Sequence, residues 1–214
     1  MEKTLEQIAR EAWVLKPGVV VNLPNCTVMR IKHMVLIAQG EHYSTSLSEV
    51  KAALMRKSDY PWRDVIKFVA YPDPKHAEEF KKAVRGVRNA GPVDRNPGAI
   101  GTAALTIVHG EKIQGALAFV QAHYKTNGNQ PLPRKLATRY NGWRHHCLDQ
   151  IMALVKETRA TVSIGNDVVY PLGRTVNRSD THKALEYACK RNGFRLTDKG
   201  TGTFRVSPER TARE

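Results

Sequence analysis

Arg134, Lys135, Arg139, Trp143, Arg144, His145, His146, Cys147 and Asp149 all fall in one stretch, NQPLPRKLATRYNGWRHHCLDQIMALVKE, residues 129–157. Imidazole, thiol and carboxylate are ligands for zinc and similar ions. Consecutive helical positions, however, point about 100° apart, so His145, His146 and Cys147 cannot converge on one ion, and the sequence holds no second ligand cluster. No metal or other cofactor is therefore expected. Enzymatic chemistry finds little support either: neither G-x-x-x-x-G-K-[ST] nor H-E-x-x-H occurs, and Asp59, Asp64 and Asp73 are too sparse for a two-metal nuclease centre. KGTGT, residues 199–203, lacks the preceding strand and following helix of a phosphate cradle and reads as a turn. What the bases of this stretch suit is a polyanion.

The whole chain agrees with that. Its 214 residues carry 34 Lys and Arg against 20 Asp and Glu, a net charge of +14. An excess of this size favours nucleic acid as partner, chiefly through release of condensed counterions. Residues 1–90 hold 15 bases and 10 acids, and residues 91–214 hold 19 bases and 10 acids, so the excess is concentrated in the C-terminal part. Cys26, Cys147 and Cys189 are odd in number and form no C-x-x-C pair, which argues against a disulfide framework and for a reducing, cytoplasmic setting. No basic start is followed by an apolar run, and no segment nears the roughly 18 apolar residues of a membrane span, so neither export nor a membrane partner is expected.

The elements that must position these residues follow from periodicity. Leu5, Ile8, Ala12 and Leu15 have helical spacing. GVVVNL and TVMRIKHMVLIA are rich in β-branched residues and read as strands around a Pro24-Asn25 turn. SLSE, residues 46–49, fits a capping box and a helix to about Lys57. DVIKFVAY is undecided between strand and helix. Asp73-Pro74 offers an N-cap and a first-turn proline for a helix with Ala77, Phe80, Val84 and Val87 inward. NAGPVDRNPGAIG, residues 89–101, has lost all apolar period and reads as a linker or surface loop. Beyond it, Ile113, Leu117, Val120 and Tyr124 suggest a helix over 111–124. Pro133 suits the first turn of a short helix, RKLATRY, and Asn141-Gly142 breaks it before a third helix with Leu148, Ile151, Met152 and Val155 buried. Val162, Ile164, a turn at Gly165-Asn166-Asp167, then Val168 and Tyr170 suggest a hairpin. Ser179 or Asp180 can cap a last helix with Ala184, Leu185 and Ala188 inward, closed by Asn192-Gly193 and followed by two short strands.

Helix, short helix, tight turn, helix, hairpin is the order of a winged helix-turn-helix. The segment GALAFVQAHYKTNGNQPLPRKLATRYNGWRHHCLDQIMALVKETRATVSIGNDVVYPLG resembles the DNA-binding domain of the LexA-type repressors. Ala116–Tyr124 corresponds to the first helix, Thr126–Pro133 to the loop, Leu136 and Ala137 to the second helix, Leu148–Val155 to the third, and Ile164–Val168 to the turn of the wing. The resemblance stops at about residues 111–173, and nothing downstream is similar to the repressors' self-cleaving serine and lysine domain. Together with the elements read on either side of it, this gives an expected α+β chain: a mixed α/β N-terminal region (1–90), a linker (91–103), a winged-helix module (104–173) and a basic C-terminal helix plus β-hairpin (174–214), the last also compatible with half of a second winged module.

The resemblance implies, further, that the third helix meets duplex DNA with Trp143, Arg144, His145 and His146 at its N-terminal end, Arg144 pairing with guanine, while Arg134, Lys135 and Arg139 clamp phosphates. Asn166 would be the wing tip. Arg174, Arg178, Lys190, Arg191 and Lys199 would extend the basic surface. Two roles are open: a sequence-reading DNA binder such as a transcription regulator or replication initiator, or a basic subunit that grips nucleic acid, RNA included, within a larger complex. A homodimer is compatible with either.

Overall fold

Residues 26–31 and 34–39 alternate between the two sides of a sheet that is covered on both at this point, which is why MVLIA is apolar without interruption. The computed structural model describes residues 3–40, 62–85, 96, 98–109, 112–123, 132–169, 179–200 and 203–208. The capping box read at 46–49 lies outside them. Strands β1 (Val20–Leu23), β2 (Cys26–Ile31), β3 (Met34–Gln39), β4 (Trp62–Pro72), β5 (Gly101–His109), β6 (Gln114–Ala122), β7 (Thr161–Gly165), β8 (Phe194–Asp198) and β9 (Thr203–Pro208) form one mixed sheet in the order β1-β2-β3-β4-β5-β6-β7-β9-β8. The chain is thus α+β. DVIKFVAY resolves as strand, and TVMRIKHMVLIA is two strands that turn at Lys32-His33.

Leu36, Ala38, Ile66, Phe68, Ala70, Leu105 and Ile107 face one side, where most of the core lies. Helices α2 (Ala77–Arg85), α3 (Arg134–Arg139), α4 (Trp143–Thr158) and α6 (Asp180–Arg191) contribute to that core, through Phe80, Leu136, Leu148 and Leu185 for example. Val28, Val35, Ile37, Val69 and Tyr71 face the other side and are covered by α1 (Leu5–Ala12), whose start is fixed by a capping box between Thr4 and Gln7. On that second side, farther along the sheet, Ala116, Ser163 and Arg205 are exposed.

Several expectations are corrected. The helix read over 111–124 is not found among its described residues, 112–123, of which Gln114–Ala122 form strand β6. The register with β5 slips between Ala104↔Phe119 and Leu105↔Leu117, leaving Ala118 as an extra, bulged residue. The bulge is the reason for the misreading, because it puts Leu117 and Val120, three positions apart, into the same core, as a helix would. The hairpin expected at 162–170 is also absent. β7 ends at Gly165, and Asn166–Val169 is a single helical turn, α5; β7 takes its partners from β6, in parallel, and from β9. The winged-helix order therefore survives only in its middle, α3, turn and α4. Finally, the segment read as a linker (91–103) ends in Ala99 and Ile100, both fully buried, and in the first residues of β5, so one sheet runs through residues assigned to separate domains.

At the end of β6, the buried His123 sets its Nε2 2.9 Å from Thr102 Oγ1, and burial pushes its pKa down to about 4, opposed in part by the Asn96 backbone. At the start of β5, Gly101 lies under the indole of Trp143, so closely that a Cβ there would stand 2.6 Å from ring atoms Cη2 and Cζ2.

Candidate nucleic-acid interface

The α3–α4 corner is held by a buried carboxylate. Asp73 caps the 3-10 turn Pro74–His76 by position, yet its side chain makes no capping bond. Instead Tyr140 donates its hydroxyl to Asp73 Oδ2 at 2.8 Å, and Arg139 lies 3.4 Å from the same oxygen. His76 Nδ1 is 2.9 Å from the Tyr140 hydroxyl and 2.8 Å from Asp73 Oδ1. Tyr140 and Asp73 are almost wholly buried, and desolvation together with the Asp73 charge raises the tyrosine pKa. The set ties α3 to the end of β4. Tyr140→Phe leaves the carboxylate without its hydroxyl donor and is expected to cost about 2 kcal/mol, measured as a lowered urea midpoint, with no change in the salt dependence of ligand binding.

Arg139 is thus spent on Asp73 and on His33, whose Nδ1 is 3.4 Å away, and is not a free phosphate clamp. Arg134 and Lys135, on the same short helix, are exposed and have no acidic partner among the described residues. Trp143, expected at the interface, is fully buried and belongs to the core. Arg144 is half-buried, its guanidinium carbon 4.9 Å from the centroid of the Trp143 ring and its Nε buried without a hydrogen-bond partner. His145 and His146 are half-buried, the latter with its pKa lowered by desolvation. Asp149 accepts from Arg191 at 2.9 Å and from Asn192 at 3.3 Å. Both partners belong to α6 and its C-cap, because α6 packs along α4. Asn166 is half-buried at the start of α5 and is no wing tip, Lys190 and Lys199 are exposed, and Arg174 and Arg178 lie outside the described residues.

Among the described residues no three His, Cys, Asp or Glu side chains are grouped to hold a metal. Cys147 is buried and directs its thiol to the Phe68 carbonyl at 3.7 Å, away from the adjacent histidines.

Packing of α6 on α4 also brings together residues that the sequence reading left apart. His145 meets Tyr187 at 5.5 Å between ring centroids, nearly perpendicular. Tyr187 is 55% exposed, the most exposed aromatic side chain described. Lys183 and Lys190 flank it at the i−4 and i+3 positions of α6, so all three share one helix face, and both lysines are exposed without an acidic partner among the described residues. That i, i+4, i+7 spacing was the available signal for this face. A second basic concavity of about 400 Å³ holds Lys156, Arg159 and Arg205. It lies where α4 and α6 end, so cations there offset the negative ends of two helices, which disfavours an anionic ligand.

No family model matches this chain, and no curated protein or solved structure matches it either. No helix among the described residues is long and apolar enough to cross a membrane.

Proposed function

We propose that this chain is a nucleic-acid-binding protein that grips the phosphate backbone through exposed bases of α3 and α6. The observation that carries the reading is how the charges are distributed. The acids Glu6, Asp73, Glu78 and Asp149 are engaged with bases of this chain, whereas Arg134, Lys135, Lys183 and Lys190 stand in solvent without an acidic partner among the described residues. Such a surface binds polyanions by releasing their counterions. The burial of Arg144 Nε against Trp143 favours a subunit that holds nucleic acid without reading base edges, and the three buried, free cysteines suit a cytoplasmic setting.

A second reading, the winged-helix duplex binder acting as transcription regulator or replication initiator, is supported by the order α3, turn, α4 with Arg144 in the first turn of α4. Against it, β6 and α5 stand where that reading needs a helix and a hairpin. Selection from randomised duplexes separates the two, since only the second reading yields an enriched motif.

The direct test is binding across a salt series. Replacing Arg134 and Lys135 together by Ala is expected to reduce the slope of log K against log salt by about two, evenly across sequences. Arg139→Ala, by contrast, should act mainly on stability. A wild-type protein that binds neither DNA nor RNA at low salt would remove the proposal.

A further inference from the structure

Between α6 and the edge strand β8 lies a groove of about 460 Å³. Phe194 and Leu196 line it with apolar surface, and Lys183, Tyr187, Lys190 and Arg195 bring an aromatic ring and three cations to the same groove. Its acidic lining residue, Glu186, is 3.1 Å from His182 Nε2 on the preceding turn of the helix. Phe194 is 9% exposed and Tyr187 55%, so the groove has a buried apolar side and an open aromatic one. His145 touches Tyr187 edge to face, which leaves much of the tyrosine uncovered while restricting its swing.

Resting on the reading of this chain as a nucleic-acid binder, we infer that this groove takes one unpaired base of a single-stranded nucleic acid, stacked on Tyr187, with the flanking phosphates on Lys183, Lys190 and Arg195. Three requirements of single-strand binding meet here: an exposed ring, cations on either side of it along the helix, and an apolar pocket of a size that admits a heterocycle. A duplex keeps its bases stacked inside, so it can use the cations and not the ring. An unpaired strand uses both. Stacking tolerates every base because each has a π face, so the groove discriminates strandedness rather than sequence.

The test compares dT12 and U12 oligonucleotides with a blunt duplex of the same length, by fluorescence anisotropy at low salt. Tyr187→Ala is expected to weaken binding of the single strands by about 5- to 150-fold and leave duplex binding within about twofold, while Tyr187→Phe, which keeps the ring, retains single-strand affinity. Lys183→Ala with Lys190→Ala weakens both. Tyr187 is on the surface, and an unchanged thermal midpoint confirms that the Ala variant is folded. A 5-iodouracil oligonucleotide photo-crosslinks to Tyr187 and the adduct is located by mass spectrometry. Unchanged single-strand binding in Tyr187→Ala, or an equal loss on strand and duplex, overturns the stacking groove and leaves general nucleic-acid binding standing. Failure of the wild type to bind any of the three probes removes the underlying function instead.

Discussion

Trp143→Ala is expected to lower the stability by about 3–5 kcal/mol, because it empties the centre of the core where α4 meets the sheet. The indole is fully buried, and it occupies space that β5 vacates by having no side chain at Gly101. The same geometry makes the glycine sensitive. Gly101 is not in the left-handed region, so an alanine is acceptable to the backbone, but its Cβ would meet the rigid bicyclic ring at 2.6 Å. Gly101→Ala should therefore cost about 1–3 kcal/mol through overpacking alone. Trp143→Phe removes the ring atoms that clash, and also an indole N–H that is buried without a partner. In that background Gly101→Ala should be nearly free, so a double-mutant cycle read by urea denaturation should show coupling of about 1–3 kcal/mol. Additive costs in the cycle would refute the contact.

Acid should destabilise the fold through His123. Its pKa is about 4 in the folded protein against 6.5 for the ordinary side chain, so as the pH falls the unfolded chain takes up the proton first. The contribution is complete above about pH 6.5 and is lost progressively down to about pH 4, about 3 kcal/mol in all. Protonation also demands a charge at a site where Thr102 and the backbone are the neighbours. Urea midpoints at pH 7.5 and 4.5 measure the fall. His123→Gln, which does not titrate, should remove most of it while keeping a polar partner for Thr102; an equal fall in both proteins would show that other groups carry the acid sensitivity.

Where structure is local, the sequence declared it. α1, α3, α4 and α6 follow from apolar spacing and end signals such as Ser179, which accepts the His182 N–H at 3.0 Å, and β8 and β9 from alternation about a glycine turn. Misreadings arose where a distant partner decides. A bulge at Ala118 gave β6 the spacing of a helix, and the Gly165-Asn166-Asp167 turn was attributed to a hairpin because the antiparallel partner of β7, strand β9, lies some forty residues downstream. The interface divided in the same way. Arg134 and Lys135 were legible as outward bases of a short helix. The burial of Trp143 and the capture of Arg139 by Asp73 were not, since they depend on β5 and on the end of β4. Tyr187 was passed over because an aromatic on an amphipathic helix is more often a core residue; what exposes it is that Ala184, Leu185, Ala188 and Cys189 already fill the inward face.

The parallel pairing of β6 with β7 has a bearing on how the chain comes off the ribosome. Every other strand pairing among the described residues is antiparallel, and β1, β2 and β3 close through tight turns as they are made. β7 can dock only after the whole crossover through α3 and α4 has been synthesised and seated, and β9, which lies against β7, only after α6 and β8. Until then β6 is an open edge with Leu117 and Val120 uncovered, a template for pairing with another nascent chain. The cationic face of α6 is synthesised only after this crossover, so until then the incomplete chain is open to self-association along β6.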